Sequence, residues 1–289
     1  MKRRLLQPEI LIEALPYIRE FTGKPFVVKL GGSTLLDEAQ CTRIAGDIAL
    51  LKLVGIQLVV VHGGGKHINE MLQRLGIQNE FKNGLRVTNE ETMRIVEMVL
   101  SGRSNKDIVT LINRYGGKAL GISGKDGPLI RALPYTDANG GTYGQVGIIE
   151  SVAGDVIEHL LTGGFIPVIS PVAYGEGGRS YNLNADHAAS RIAQAICAKK
   201  LIYLSDIPGV LRDPRDPGTL ISELGALEAE ALIADGTISG GMLPKIQSIV
   251  ECLRHGVEKV HIISGLEPHA LLLEIFTNGG IGTEFHAAL

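Results

Sequence analysis

Short apolar runs that alternate with segments of helical period are the feature of this chain that most restricts its fold. Most of the runs are followed by a glycine or polar turn and then by a helix pattern. This alternation predicts an α/β fold with an open, mainly parallel sheet sandwiched by helices. The predicted strands are Phe26–Leu30, Leu58–Val61, Ala119–Ile122, Ile166–Ile169, Leu201–Leu204 and Val260–Ile263.

Two stretches interrupt the alternation. Gly127–Gly147 is interpreted as an inserted hairpin, because it contains short strand patterns separated by a glycine-rich turn. Ala173–Asn182 is interpreted as a hinge between an N-terminal and a C-terminal lobe.

An amphipathic helix over Pro8–Phe21 is predicted ahead of the first strand. Leu11, Leu15 and Ile18 fall on one face of this helix. The apolar face packs either on its own domain or on a neighbouring subunit, and the pattern fits both arrangements.

Net charge and cysteine usage narrow the class of protein. The 289 residues carry a formal net charge of −3, which favours neither a nucleic-acid-binding protein nor a polybasic membrane protein. Cys41, Cys197 and Cys252 are odd in number and widely spaced, so we expect thiols rather than a disulfide or a zinc site. No run approaches the ~18 uncharged apolar residues of a membrane span, and the N-terminus does not resemble a signal peptide. We therefore expect a cytoplasmic protein.

Three glycine clusters, which we place directly after predicted strands, indicate an anion site. They are Lys29–Ser33, Val59–Leu72 and Ser239–Ser248. Glycine at the carboxyl end of a parallel strand lets backbone N–H groups approach an anion. Each cluster alone also fits a tight turn, but together they favour a ligand with several phosphate or carboxylate groups. Neither G-x-x-x-x-G-K-[ST] nor G-x-G-x-x-G is present, so a nucleotide would bind without a P-loop.

Three charged residues in apolar surroundings are the candidates for chemistry. Lys29 follows an apolar strand, and Lys245 and Asp186 lie near predicted helix starts. Lysines opposite phosphate oxygens keep their charge and can stabilise a migrating phosphoryl group. The alternatives are a snorkelling side chain for Lys29 and a helix cap for Asp186. The eight histidines, His62 among them, lack metal-binding spacing and are interpreted as structural or surface residues.

Six longer motifs resemble one known family. They are "VVKLGGS", "VVVHGGGKHINEML", "GLRVTNEETMRIVEMVLSG", "YNLNADHAASRIA", "LIYLSDIPGVL" and "ISGGMLPKIQSIVECLRHGV". Together they resemble the amino-acid kinase superfamily and, more narrowly, the acetylglutamate kinase family, over nearly the whole chain. The resemblance implies an N-terminal interlacing helix in 1–24, a substrate-binding and dimerising lobe in 25–178, and an ATP-binding lobe in 179–289.

The resemblance also implies a reaction. ATP would phosphorylate the γ-carboxylate of N-acetyl-L-glutamate to N-acetyl-L-glutamyl 5-phosphate, the second step of arginine biosynthesis. Lys29 and Lys245 would flank the transferring phosphoryl group, and Asp186 would hold both ammonium groups in place. Mg²⁺ would be held by ATP oxygens and water rather than by a cluster of protein ligands.

Binding residues follow from the same resemblance. Gly64 and Gly65 would bind the acetylated substrate at a helix N-terminus. Arg86 would hold a carboxylate bidentately, and Asn182 would hydrogen-bond the acetylamino group. A surface ion pair is the alternative for Arg86. The implied ATP-binding residues are Gly31, Gly32, Ser205, Asp206, Gly209, Val210, Gly240 and Gly241.

Regulation is implied by the N-terminal helix, because family members that arginine inhibits carry such a helix. It interlaces dimers into a hexamer, a trimer of dimers, whereas members without it are dimers that do not respond to arginine. Glu20 departs from related helices, which often have two arginines at this point. In oxygenic phototrophs the family also implies the PII signalling protein as a partner. The implied arginine site comprises Tyr17, Lys200, His261, Glu274 and Gly280.

Two other functions compete with this interpretation. A related kinase of lysine biosynthesis acts on carrier-bound α-aminoadipate or glutamate, and it would favour a basic rim around the pocket. The motif "GLRVTNEET" favours the free acetylated substrate instead. A non-catalytic arginine sensor could lose the paired lysines or the aspartate, and this chain keeps all three.

Overall fold

An open sheet with helices on both faces forms the body of the molecule. The structure is a computed structural model, which describes residues 8–32, 37–213, 215–277 and 279–287, with side chains from residue 12 onward. Ser33 and the side chain of Leu11 therefore lie outside the described part. The helices are α1 (Pro8–Phe21), α2 (Glu38–Leu53), α3 (Gly65–Arg74), α4 (Glu90–Glu97), α5 (Asn105–Arg114), α6 (Gly154–Thr162), α7 (Ala185–Ala195), α8 (Ala226–Ala234), α9 (Met242–Arg254) and α10 (Ala270–Phe276). The strands are β1 (Pro25–Leu30), β2 (Gln57–His62), β3 (Phe81–Lys82), β4 (Leu85–Arg86), β5 (Ala119–Gly124), β6 (Ile130–Thr136), β7 (Thr142–Val152), β8 (Ile166–Tyr174), β9 (Ser180–Asn182), β10 (Lys200–Ser205), β11 (Glu223–Gly225), β12 (Lys259–Ser264) and β13 (Thr283–His286).

The main sheet is parallel at its centre and mixed in its outer parts, where the edge pairs β11–β13 and β7–β9 are again parallel. Among the described residues, eleven strands follow the order β11-β13-β12-β10-β1-β2-β8-β6-β7-β9, with β5 paired to β8. The pairs β12–β10, β10–β1, β1–β2, β2–β8 and β5–β8 are parallel. The pairs β12–β13, β6–β7 and β8–β9 are antiparallel. Each predicted strand lies inside an observed one, so the prediction of an open, mainly parallel sheet is confirmed.

The two interrupting stretches both belong to the sheet. The predicted hairpin is confirmed, since β6 and β7 pair antiparallel. Ala173–Asn182 turns back through the 3₁₀ segment Glu176–Gly178, so that β9 pairs with β8. The hinge and the division into two lobes stay predictions.

The alternation of side chains along β1 separates two apolar layers. Val27 faces a cluster that includes α7 and α9, whereas Phe26 and Val28 face a cluster that includes α2 and α10. Because successive strand residues point to opposite faces, Lys29 shares the face of Val27. The strand therefore directs this lysine towards α7 and α9. Within the described ranges, no helix combines the length and the apolar character needed to cross a membrane.

The C-terminal end of α1 is buried, whereas apolar side chains in the middle of this helix are exposed. Its last residue, Phe21, is buried and packs edge-on against Phe26, with the ring centroids 5.2 Å apart. In the middle of the helix, Ile12 and Leu15 are 62% and 51% exposed. Packing on its own domain thus accounts for the end of the helix, whereas the described part of the chain leaves these two apolar side chains uncovered.

Gly144 on β7 provides a test of how the segment around Arg86 is held. Its φ is +69°, and a Cβ there would lie 2.2 Å from the carbonyl oxygen of Thr88, which pairs with Gly144 across a bridge. Gly140, in the same hairpin, has a similar φ of +77° but no atom within 4 Å of the corresponding Cβ position. We expect Gly140→Ala to lower the free energy of unfolding by ~1–2 kcal/mol through backbone strain. Gly144→Ala adds a steric clash and should lower it by at least ~1 kcal/mol more in urea unfolding. Equal losses for the two variants would contradict this account.

Candidate active site

The packing of helices on one face of the sheet brings Lys29, Asp186 and Lys245 together. Asp186 lies in the first turn of α7 and Lys245 near the start of α9, and both helices pack on the face to which Lys29 points. Asn184 caps α7 by accepting from the backbone N–H groups of Asp186 and His187. The cap role considered for Asp186 is therefore wrong, and its side chain is available to the lysines.

The carboxylate of Asp186 binds the two ammonium groups through separate oxygens. Nζ of Lys29 lies 2.6 Å from Oδ1, and Nζ of Lys245 lies 2.7 Å from Oδ2. The lysine side chains are only 11% and 14% exposed. The alternative of a snorkelling Lys29 is therefore wrong, because its charge ends in an ion pair and not in bulk water.

The electrostatics of this cluster leave one positive charge in excess. Burial by itself would raise the pKa of Asp186, but the charges of Lys29 and Lys245 outweigh it and lower that pKa from 3.8 to about 2. Burial, assisted by repulsion from Lys29, lowers the pKa of Lys245 from its usual value, although Asp186 opposes the change. One carboxylate thus holds two cations, and the cluster favours an incoming anion.

Tyr203 supports this cluster and was not identified from the sequence. It is fully buried beside Lys29 in the sheet register, and Nζ of Lys245 lies 4.9 Å from the centroid of its ring. Its hydroxyl donates to the backbone carbonyl of Asp186 at 3.2 Å. Tyr203 could have been identified only from its place opposite Lys29 in the neighbouring strand. The register between these two strands cannot be read from the sequence.

The glycine turns after β1 and β2 face each other. A Cβ on Gly32 would lie 3.7 Å from the nitrogen of Gly64 and 3.6 Å from that of Gly65. Gly64 is the N-cap residue of α3 and provides no side-chain cap, so the first-turn N–H groups of this helix are directed at the gap between the turns. The N–H of Gly31 was expected to bind a phosphate oxygen, but in this structure it donates to the carbonyl of Leu204 at 3.0 Å.

His62 holds the second turn as a neutral side chain. Burial lowers its pKa to about 4. Its Nδ1 lies 2.9 Å from the carbonyl of Gly63, which can only accept, so Nδ1 carries the proton. Its Nε2 lies 3.2 Å from the side-chain amide nitrogen of Asn105 and accepts from it. The structural role predicted for this histidine is confirmed.

The third glycine cluster follows a helix, so its predicted position directly after a strand is wrong. Ser239–Ser248 follows α8 and not a strand, and it continues into α9. The apolar residues of "ALEAEALIADGT" pack as a helix, which a short apolar run does not distinguish from a strand. The cluster still contributes Gly241 and Lys245 to a cavity of about 410 Å³, within the range of small-molecule sites. The cavity is also lined by Ser205, Asp206, Ile207, Gly209, Val210, Leu211, Thr237, Ile238, Ser239 and Met242, whereas the predicted Gly240 is not part of this lining.

A second cavity contains the predicted substrate residues. Gly64, Gly65, Arg86 and Asn182 line it, together with Asn184 and Ala185, which directly precede Asp186. Arg86 is 7% exposed, and its partners are two asparagine oxygens and a backbone carbonyl. The alternative of a surface ion pair is therefore wrong. The lysine cluster lies between the two cavities, since one cavity reaches Lys245 and the other ends beside Asp186.

A π-helix at Met98–Ser104 is a further part of this cavity that sequence reasoning missed. Leu100 lines the cavity, and a Cβ on Gly64 would lie 2.5 Å from Cδ2 of Leu100. Such insertions are frequent at functional sites. No residue type in "MVLSGRS" marks an extra residue per turn, so the sequence contains no signal for it.

The residues of the implied arginine site lie together elsewhere, around the first residue of β10. Lys200 donates to Nε2 of His261 at 3.0 Å, and Nδ1 of His261 donates to Glu274 at 2.6 Å. Tyr17, Lys200 and Glu274 line one cavity, and a Cβ on Gly280 would lie 3.0 Å from Oε2 of Glu274. Burial lowers the pKa of His261, in line with a neutral ring between a cation and a carboxylate.

Known proteins are similar to this chain over most of its length. The family model described as "Amino acid kinase family" matches residues 24–264. The acetylglutamate kinase of Thermoanaerobacter pseudethanolicus is 50% identical over 279 residues, which cover 96% of this chain and 93% of the relative. The acetylglutamate kinase of Thermosynechococcus vestitus is 53% identical over 274 residues, which cover 95% and 92%.

Solved structures agree with these sequence matches. The N-acetylglutamate synthase of Neisseria gonorrhoeae, complexed with coenzyme A and N-acetyl-glutamate, superposes with a TM-score of 0.86 at 28% identity. This chain is covered to 98% and spans 64% of that longer protein. Carbamate kinase from Giardia lamblia shares the fold, with a TM-score of 0.65 at 17% identity over 92% of this chain and 99% of that chain. Because the family model spans most of the sequence and the curated relatives align over nearly all of it, the chain belongs to the amino acid kinase family and, within it, to the acetylglutamate kinases.

Proposed function

We propose that the chain transfers the γ-phosphoryl group of ATP to the γ-carboxylate of N-acetyl-L-glutamate, the second step of arginine biosynthesis. The observation that carries this proposal is the pair of ammonium groups on one carboxylate, between a cavity with a buried arginine and a second cavity of nucleotide size. The relatives that are 50% and 53% identical are kinases of this kind.

The chemistry requires no proton transfer, because the substrate carboxylate is already ionised at neutral pH. A carboxylate oxygen attacks the γ-phosphorus while the bond to the β,γ-bridging oxygen breaks, and ADP leaves with the bonding electron pair. Catalysis therefore depends on positioning and charge neutralisation. Lys29 and Lys245 neutralise charge on the transferring group from two sides, and Asp186 keeps them at a fixed separation.

The two cavities divide the substrates between them. Arg86 and Asn182 bind the acetylated amino acid, with the N–H groups of Gly64 and Gly65 directed at its reacting end. ATP occupies the cavity that ends at Lys245, with its phosphates next to Gly32. Mg²⁺ would accompany the nucleotide on phosphate oxygens and water, as is common for this ion, and would withdraw charge from the phosphates.

The cavity lining disfavours a carrier-bound substrate. Among the described residues that line the substrate cavity, Arg86 is the one charged side chain. A lining with a single cation suits a small anionic substrate and offers no basic patch inside the cavity to an acidic carrier protein. A non-catalytic arginine sensor is also disfavoured. A sensor could lose Lys29, Asp186 or Lys245, but all three are present here and form one ion cluster.

Arginine is proposed as the inhibitor, bound in the cavity beside α1. Carboxylates and ammonium groups both line this cavity, and the carboxylates outnumber the ammonium groups among the described residues, which suits a guanidinium ligand. The N-acetylglutamate synthase of Neisseria gonorrhoeae has also been solved with L-arginine, and it superposes with a TM-score of 0.81 at 27% identity over 96% of this chain and 65% of that chain. The charged residues of the cavity are Glu20, Lys199, Lys200, Glu223, Glu258, Lys259, Glu274 and Glu284.

A hexamer, a trimer of dimers, is proposed for the assembly. Its support is the exposure of Ile12 and Leu15 on α1, which a neighbouring copy would cover. Glu20 lies 3.5 Å from Lys199, so the departure at this position ties the end of α1 to its own chain. Binding of a PII protein and a cytoplasmic location stay predictions.

Hydroxylamine trapping tests the reaction directly. The chain with ATP, Mg²⁺ and N-acetyl-L-glutamate should give a hydroxamate, because hydroxylamine captures the acyl phosphate. Lys245→Ala should lower kcat by ~10²–10³, since it removes one of the two cations that stabilise the transition state. Lys24→Ala, an exposed lysine just before β1, is the matched control and should react at the wild-type rate. Absence of hydroxamate at saturating substrates would remove the proposed reaction, and an unchanged kcat would remove the role of Lys245.

Glu274→Gln tests the effector site. This isosteric change removes the carboxylate charge that a guanidinium would pair with. The arginine concentration for half inhibition should rise ~10-fold or more. Glu230→Gln, which loses a surface ion pair with Arg254, is the control and should keep the wild-type value. Equal half-inhibition values for wild type and Glu274→Gln, or no inhibition of the wild type, would contradict the proposal.

A further inference from the structure

Arg86 is a buried cation whose hydrogen-bond partners among the described residues are all neutral. Its Nη2 donates to Oδ1 of Asn69 at 2.6 Å and to the carbonyl of Gly65 at 3.2 Å, and its Nη1 donates to Oδ1 of Asn79. The amide nitrogen of Asn79 donates to the same oxygen of Asn69 at 2.9 Å. The ring of Phe81 lies under the guanidinium, 4.6 Å from its central carbon.

The orientation of both amides follows from the arginine. A guanidinium has five N–H donors and no acceptor, so each asparagine must present its oxygen to Arg86. The three hydrogen bonds fix the plane of the guanidinium and leave two of its N–H groups without an acceptor among the described residues. Arg86 lines the cavity, so a ligand there can contact this residue.

A counter-charge for Arg86 is missing from the part of the chain that the structure describes. None of the ion pairs there includes Arg86. Burial is the sole cause that lowers its pKa to about 10, with no neighbouring acid to oppose it. Buried charges in proteins are otherwise paired, because an isolated one is costly.

We infer that Asn69 and Asn79 are positioning residues that orient Arg86 without neutralising it, and that they thereby set the preference for a dianionic substrate. Aspartate has almost the shape of asparagine and would hold the guanidinium equally well, but it would also cancel its charge. With amides instead, the α-carboxylate of the substrate becomes the counter-ion. This inference rests on the proposed function and adds to it the origin of the selectivity.

The test is Asn69→Asp, which adds one negative charge at the contact with almost no change of shape. Asn69 lies on the exposed side of α3, so the variant is expected to fold. The KM for N-acetyl-L-glutamate should rise ~10-fold or more, because the new carboxylate competes for Arg86. The KM for ATP and the kcat at saturating substrate should stay within about threefold, since neither depends on this contact.

Gln73→Glu is the matched control, because it adds the same charge one turn along α3 without touching Arg86. A second arm uses 4-acetamidobutyrate, which lacks the α-carboxylate. In Asn69→Asp the ratio of kcat/KM for N-acetyl-L-glutamate to that for this analogue should fall ~10-fold or more, because only the carboxylate contact is weakened.

The failures can be told apart. If Asn69→Asp and Gln73→Glu change KM equally, or if Asn69→Asp loses kcat and keeps KM, the inference is wrong while the proposed function stands. If the wild type forms no hydroxamate, the proposed function is wrong. The inference is then decided by the rise in Tm that N-acetyl-L-glutamate produces, which should be smaller in Asn69→Asp than in Gln73→Glu. Equal rises in Tm would overturn it.

Discussion

The pairing of two ammonium groups with a single carboxylate is the interaction on which the rest of the site depends. Lys29 comes from a central strand, Lys245 from α9, and Asp186 from the first turn of α7. Without the aspartate, the two largely buried ammonium groups would repel each other, and this repulsion would favour the loss of a proton from one of them. With it, the cluster keeps its charge and still has one cation in excess for phosphate oxygens.

The same arrangement of charge recurs in the substrate cavity. Arg86 is buried, oriented by neutral oxygens, and left without a counter-ion among the described residues. Each of the two sites therefore has hydrogen-bonded or ion-paired cations in the folded chain, and each retains one positive charge that an anionic ligand would neutralise. The cavity proposed for the effector has the opposite charge, because carboxylates outnumber ammonium groups among its described lining residues and suit a cationic ligand. The sign of the charge thus distinguishes the proposed catalytic site from the proposed effector cavity.

Much of the fold could be predicted from the sequence, because continuous apolar runs, helical periodicity and glycine turns report local structure directly. Lys29 and Asp186 were identifiable as charges in apolar context. Asn69 and Tyr203 were not, since polar residues on a helix and aromatics in a strand are common and their partners are distant along the chain. The cluster at Ser239–Ser248 was misplaced after a strand, because α8 is short and apolar. Strand register and the π-helix have no signal in residue type.

The central claim is tested most directly by a crystal structure of the chain with a non-hydrolysable ATP analogue, Mg²⁺ and N-acetyl-L-glutamate. Nζ of Lys29 and Nζ of Lys245 should each lie ~3 Å from an oxygen of the γ-phosphate, on opposite sides, while Asp186 still contacts both. A complex in which either ammonium group remains on Asp186 alone, with no phosphate oxygen in hydrogen-bonding distance, would contradict the account.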